Sequence, residues 1–487
     1  MTDAAIALNR FGLGARPGDD VPGDARRWLV AQFDSFEPRP ALMASAPTSR
    51  QAAQSLSEYQ QFRQQVRAER REPAMVIQRE PAGPRRVMDE ADAAPMGDAE
   101  RVAIAARRRN RDAYTSAVGL RMNAALVSPA PFVERLVHFW ANHFAISADS
   151  MRVVGFAGPF EFEAIRPHVL GSFRDMLFAV EQHPAMLMYL DQAQSTGPRS
   201  MLGSRAAANG RKLGLNENLA REIMELHTLG VRAGYSQTDV TEFAKAMTGW
   251  TVGGLGRGAR LAGADGRAGD FVFADRLHEP GARSIMGKSY ADGGVRQASS
   301  VLDDLAAHPA TAKHIATKLV RHFIADDPPP AAVARVEAAF LESRGDLPIV
   351  YRALVASPEA WAPAPAKFKT PWEWSVSTMR GLGLSELGTP QTVGLLQQLG
   401  QPTWRPGSPA GWDDIAASWA GPDAIMRRVE AAERFASRAG TEVDARARAA
   451  ALFPGTLTPA TAQAIARAES PGQGIALMLV APEFMRR

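Results

Sequence analysis

Residues 215–230 read LNENLAREIMELHTLG, and the spacing within this stretch decides how the rest of the chain is read. Leu219, Ile223 and Leu226 recur at four and three residues, which predicts a helix with one apolar stripe. Asn218, Glu222 and Glu225 recur at the same spacing and form a polar stripe beside it. Asn216 or Asn218 supplies the opening cap, and Gly230 is the residue type favoured just past a helix end. Helical patterns spread outward from here. A helix is expected over 238–247, stopping at Thr248-Gly249-Trp250. Upstream, Pro129 and Pro131 follow Ser128 and precede Phe132, Leu136, Phe139 and Phe144, predicting a buried helix. Another is expected over about 173–190. Helical periodicity resumes over 299–323 and 331–341 and returns in the C-terminal third. His183-Pro184 and His308-Pro309 read as helix starts, since Pro is favoured at the first helical position. Between these helices, 251–291 is Gly-rich and then alternates at Phe271 and Phe273, the pattern of a small β-hairpin or ordered loop.

The expected fold is therefore mostly α, a large multi-helix globular protein with a small β-hairpin or irregular insertion around 251–291. Three regions are expected: 1–127, N-terminal and helical; 128–345, a central helical core carrying the candidate site; and 346–487, a helical region packed on that core. The 487 residues are 46% hydrophobic, enough to bury a sizeable core. Residues 63–111 carry twelve Arg against eight Asp or Glu, which by itself accounts for the formal net charge of +4. Interrupted by acids and by Pro73, Pro81 and Pro84, this segment reads as a mobile, solvated polar stretch and not as a nucleic-acid face. With no cysteine there is no thiolate nucleophile, disulfide framework or Cys-ligated metal. The opening MTDAAIALNR is not a secretory signal, and no stretch reaches a membrane span of ~18 apolar residues. The chain reads as soluble and, without an export signal of its own, as cytoplasmic.

Two carboxylates on one helical face, Glu222 and Glu225, can serve as acid and base or as metal ligands. The same pattern also suits an exposed polar face on which Arg221 pairs with Glu225. His227 lies about 140° round an ideal helix from Glu222, so a metal would need ligands from a second helix. The stretch VERLVHFWANHFAIS offers His138 and Asn142 on one face and His143 on another, making His138, His143 and His227 the candidate metal ligands. For a histidine beside Phe139 and Trp140, a hydrogen-bonded core residue is the plainer reading. His278, Glu279 and Lys288 stand in a polar loop between glycines, free either to reach a substrate or simply to turn. A divalent metal is compatible with these residues; no nucleotide or flavin signature is present. The aromatics near 371–374 and 404–419 suit a carbohydrate-stacking surface or, more simply, a core.

NENLAREIMELHTLG followed by GYSQTDVTEFAKAMTGW resembles the bacterial domain-of-unknown-function family numbered eighteen hundred. Further phrases fall in family order: ALNRFGLGARPGD, ERLVHFWANHF, HPAMLMYLD, HPATAKHIATKLVRHF, KFKTPWEW and APEFMRR. The resemblance points to His138, Asn142 and His143, to Asn216, Glu217, Asn218, Arg221, Glu222 and Glu225, to Thr248, Gly249 and Trp250, and to His278. The chain departs from the family's phrases at His278-Glu279-Pro280 and at Gly411-Trp412-Asp413. The resemblance also implies a partner, because members are often encoded beside a sulfatase- or alkaline-phosphatase-like protein with a twin-arginine export signal. Co-export with it would place the chain in the periplasm. Two functional expectations follow. In the first, the protein is a hydrolase or transferase acting on a saccharide or a phosphate or sulfate ester. Glu222, Glu225, His138 and His278 would then be catalytic, and Asn142, Asn216, Asn218, Arg221, Trp250 and Lys288 would bind substrate. In the second, it is a noncatalytic helical scaffold or escort for the sulfatase-like partner.

Overall fold

A computed structural model describes residues 1–19, 23–69, 98–211, 213–255, 262–264, 266–440 and 443–487. Most of the Arg-rich segment, and the centre of the Gly-rich stretch at 256–261, lie outside the described residues. The fold is mostly helical, with two small antiparallel two-stranded sheets among the described residues. No described helix is long and apolar enough to cross a membrane.

Local sequence sets most helix boundaries. Pro131 occupies the first turn of the Pro131–His143 helix. At both His-Pro pairs the imidazole Nδ1 accepts the N–H two residues on, capping Pro184–Tyr189 and Pro309–Phe323 at 3.1 Å. These prolines also cut longer expected helices. The span 173–190 becomes Phe173–Glu181 and Pro184–Tyr189, and 299–323 becomes Val295–Ala306 and Pro309–Phe323, because a proline cannot donate within the preceding turn. Reciprocal capping boxes open Gln237–Met247, through Ser236 and Asp239, and Pro371–Gly381, through Thr370 and Glu373.

The 251–291 region holds the strands. Trp250–Val252 pairs with Phe271–Phe273, and Arg283–Ile285 pairs with Lys288–Tyr290. The second hairpin turns through Met286 and Gly287, both at positive φ (51° and 78°), the backbone that a two-residue turn of matching twist requires.

One continuous hydrophobic cluster runs from Ile6 to Met485. At its centre Phe11, Phe132 and Phe323 meet edge-to-face or stacked within 5.8 Å, and the Trp140 indole donates to the Tyr351 hydroxyl at 2.6 Å. Residues 367–369 bridge to the last residues of the chain: Lys369 N–H donates to Met485 O at 2.8 Å and Arg487 N–H to Lys367 O at 2.9 Å. This pairing carries the Arg487 side chain, fully buried, into the interior beside Glu373.

The 216–230 motif is not one α-helix. Asn218–Glu222 is α-helical, and Ile223–His227 widens into a π-turn before Gly230 reverses the chain at φ 93°. A π-turn holds more residues per turn, so His227 swings inward from the position an ideal helix would give it. Its Nδ1 lies 2.8 Å from Glu181 Oε1, with both side chains wholly buried. The carbonyls freed at the end of the turn are met by histidines from two other helices. His143 Nε2 lies 3.1 Å from His227 O, and His314 Nε2 lies 3.1 Å from Leu226 O.

Candidate active site

Between the C-terminal half of Pro131–His143, the last turns of Pro309–Phe323, the start of Pro371–Gly381 and the 401–415 loop lies a cavity of about 470 Å³. Pro309–Phe323 contributes Lys318, Arg321 and His322, and four-residue spacing places Lys318 and His322 on one face. His322 Nδ1 stands 2.6 Å from Asp414 Oδ2. Burial alone would raise the Asp414 carboxyl, but its contact with His322 and the charges of Lys367 and Arg487 outweigh it and hold it at about 2. Lys367 Nζ is 3.3 Å away and Arg487 4.0 Å. An ionised Asp414 can only accept, so Nδ1 carries the proton of the neutral ring and Nε2 keeps its lone pair. Burial pushes His322 below its ordinary value against the pull of Asp414, which favours that neutral form. Nε2 is itself buried and has no hydrogen-bond partner among the described residues.

His138, on the facing helix, has the opposite tautomer. Its Nδ1 accepts the Trp372 indole N–H at 3.1 Å, so the neutral ring carries its proton on Nε2. Burial, with Arg121, Arg166 and Arg135 nearby, holds His138 well below the ordinary value. It is therefore a donor at neutral pH and not a base.

Lys318 lines the cavity without a hydrogen bond or ion pair to any described residue. Burial lowers its amine to about 8, against the raising effect of Asp414. Arg321 donates from Nε to Asp326 O at 3.3 Å, leaving its terminal nitrogens for other partners. The wall behind is a buried ionic frame. Glu373 accepts from Arg135 and stands 2.9 Å from Arg487, while Arg121 donates to Glu161 at 2.8 Å. Arg121 also lies over the Trp372 ring, 4.1 Å from its centroid, and 5.7 Å from that of Trp404. Trp404 itself sits at φ 51°, costly for a bulky residue, and its indole is pinned to Glu161 at 2.9 Å.

Asn142 fixes the loop that closes the cavity. Its amide donates to Trp412 O at 2.8 Å and accepts Trp412 N–H at 2.7 Å, so it positions backbone and has little left for a substrate. Gly411 approaches so closely that a Cβ there would lie 2.3 Å from Asn142 O, at φ 80°. Gly411→Ala is expected to lose more than about 1 kcal/mol of stability, read as a shift in the urea midpoint.

The other residues singled out from sequence lie elsewhere. Of them, the cavity is lined by His138, Asn142 and His143 but not by Glu222, Glu225, His278, Asn218, Arg221, Trp250 or Lys288. Glu222 is half-buried, and burial with Glu225 nearby raises its carboxyl. Glu225 pairs with Arg221 at 3.8 Å, both partly exposed. Asn216 accepts the Asn218 N–H at 2.9 Å. His278 Nδ1 lies 2.8 Å from Thr248 O, Lys288 pairs with Asp304 at 2.5 Å, and Trp250 is fully buried against Phe271. His143 and His227 have ring centroids 6.3 Å apart, and each has a ring nitrogen committed to a carbonyl or carboxylate. Among the described residues no three His, Asp or Glu side chains are grouped to hold a metal ion. Lys318, His322, Glu373, Asp414 and Arg487 escaped the reading of the motifs. The four-residue repeat His314, Lys318, His322 was the signal that marks the first two.

A Ser–His–Glu contact elsewhere, of Ser49, His183 and Glu163, is not a nucleophilic arrangement. Ser49 Oγ (2.9 Å) and Glu163 (3.6 Å) both approach Nε2, while Nδ1 is occupied as an acceptor by the Ala185 N–H. Nε2 must therefore carry the proton and cannot withdraw one from the hydroxyl.

The buried histidines make stability acid-sensitive. Burial lowers His138, His143, His183, His314 and His322, with His314 reaching about 4. The unfolded chain takes up these protons near 6.5 and the folded chain only below that, so their contribution is complete above 6.5 and lost as pH falls. His314 alone accounts for at most about 3 kcal/mol. Melting temperature should drop steeply between neutral pH and pH ~4; a flat profile would contradict these burials.

No curated protein and no solved structure matches the chain significantly. The model of the family described as "Protein of unknown function (DUF1800)" matches residues 6–486, nearly the whole length, and the chain belongs to that family.

Proposed function

We propose that this protein is a hydrolase of anionic esters, phosphate or sulfate, acting in the cavity between Pro131–His143 and Pro309–Phe323. The observation that carries the reading is the His322–Asp414 pair, with a buried Nε2 that has no partner among the described residues, one helical turn from a Lys318 amine that likewise has none. In the proposed reaction a turn of the His322 ring on substrate binding brings its buried Nε2 to the cavity, where it takes a proton from water as the water oxygen bonds to phosphorus or sulfur. The ester bond breaks on the far side, and the leaving oxygen takes a proton from the Lys318 ammonium. Exchange with solvent restores both groups. Arg321 and Lys318 offset the charge that accumulates on the transferring group, and Asp414 holds the imidazole in its basic tautomer. Compared with the expectation built on Glu222, Glu225 and His278, this reading moves the acid–base work to a cavity those residues do not line. The test uses para-nitrophenyl phosphate and sulfate beside uncharged para-nitrophenyl glycosides. The anionic esters should be turned over, with Lys318→Met costing tenfold or more in kcat/KM, on the order of one charged contact. Turnover confined to uncharged substrates would overturn the assignment.

The family's sulfatase-like neighbour keeps a second reading in play, in which the chain is an escort. It is favoured by the 216–230 motif, where Glu217 is used up by Arg221, Gln237 and Thr241. Co-purification with that neighbour, undiminished by Lys318→Met and without ester turnover, is the outcome an escort gives.

A further inference from the structure

A second and larger cavity, about 1010 Å³, shares no lining residue with the first. Its floor is apolar, built by Leu187 and Met188 of the Pro184–Tyr189 helix, Leu202 of Met201–Ala208, Val252 of the first sheet and Leu277 of the short Asp275–Leu277 turn. At its mouth Met201 and Leu213 are 64% and 42% exposed, an arrangement that leaves large apolar side chains wet when nothing covers them. The charges on its lining are one-sided. Among the described lining residues Arg152, Arg205, Arg211 and Arg276 outnumber the acid Asp191, which Arg152 pairs at 2.7 Å; Arg276 has a partner of its own, which leaves Arg205 and Arg211 for a ligand. Arg205 and Arg211 are exposed and form no ion pair among the described residues.

We infer that this cavity is a binding site for a single-chain amphipathic anion, an acyl chain terminating in a carboxylate, with the chain on the apolar floor and the carboxylate at Arg205 and Arg211. Three features select that class. The volume lies at the upper end for small-molecule sites, and the run of Leu187, Met188, Leu202, Val252 and Leu277 offers an acyl chain a continuous apolar bed, with the polar residues of the lining left for its head group. Two unbranched methionines, Met188 at the floor and Met201 at the mouth, can adapt to a flexible chain. The excess of guanidinium suits a carboxylate, which it can engage through two parallel hydrogen bonds. A neutral lipid would leave Arg205 and Arg211 unused, and a cationic amphiphile would be repelled. The inference is independent of the proposed ester hydrolysis, since the two cavities have no wall in common.

The test is displacement of a fluorescent fatty acid from the full chain by dodecanoate, dodecanol and dodecyltrimethylammonium, below their micellar concentrations. Dodecanoate should displace the probe saturably with one site per chain, dodecanol at least tenfold more weakly, and the cation not at all. The double variant Arg205→Glu, Arg211→Glu alters only exposed side chains and should weaken dodecanoate tenfold or more while leaving the melting temperature unchanged. Leu202→Trp, which fills the floor, should abolish binding of both dodecanoate and dodecanol. Equal displacement by the three amphiphiles, or binding indifferent to both variants, would overturn the assignment. Ester hydrolysis in the other cavity is read separately and should survive both variants.

Discussion

Glu373→Gln is expected to lower stability by about 3–5 kcal/mol, more than any other single change in the cavity wall. The Glu373 carboxylate lies between two guanidiniums that have almost no access to water: Arg135 is 2% exposed and Arg487 is 0%. Burial disfavours its charge, yet Arg487, Arg135 and His322 together hold it well below the ordinary carboxylate value. Glutamine retains the shape and can still accept the Thr370 N–H that opens the Pro371–Gly381 helix, a bond of 2.9 Å in the native chain. What it removes is the charge, leaving two buried cations facing each other. A change of under about 1 kcal/mol in urea unfolding would mean that water reaches those guanidiniums. Glu225→Gln is the matched control, because its contact with Arg221 is long and partly exposed, and it should shift stability by no more than about 0.5 kcal/mol.

His322→Asn should lower kcat/KM by about 10²- to 10⁴-fold, the usual contribution of a positioned acid–base group. Asparagine can place an amide N–H near the position of Nδ1, so the Asp414 carboxylate keeps a donor and the fold is expected to hold. Asp414→Asn tests the same claim from the other side. Its side-chain nitrogen could face Nδ1 and favour the tautomer with the proton on Nε2, so the base would be lost although the ring remains. The two variants should therefore fail together, and full activity in Asp414→Asn would remove the dyad from the mechanism.

How much of this was legible in the sequence varies from element to element. The helical class and the His-Pro caps follow from spacing, because caps and prolines act within one turn, whereas 251–291 was legible only as a hairpin or an irregular insertion, with alternation at Phe271 and Phe273 and no trace of the 283–290 pairing. The 216–230 stretch was legible as a helix but not as a π-turn, and that difference places His227 against Glu181 in the interior. The cavity was half legible. Pro131–His143 was marked through His138, Asn142 and His143, yet their roles depend on partners hundreds of residues away: Trp372 for His138 and Trp412 for Asn142. His322 and Asp414 lie 92 positions apart, and Arg487 reaches Glu373 only because the chain's last residues pair with 367–369. Such long-range pairs leave no periodic trace. Glu222 and Glu225 stood out because a local stripe is visible in sequence, whereas a carboxylate isolated in a loop, such as Asp414, is not.

The most direct test of the central claim is the pH dependence of kcat/KM for para-nitrophenyl phosphate and sulfate, measured for the native chain and for His322→Asn. The native profile should be bell-shaped. It should rise as His322 loses its proton below 6.5 and fall as Lys318 loses its own near 8. His322→Asn should lose the acid limb along with most of the rate, while Glu222→Gln keeps both limbs. An acid limb that persists in His322→Asn, or a native enzyme without turnover of either ester, would contradict the assignment of catalysis to the His322–Asp414 pair.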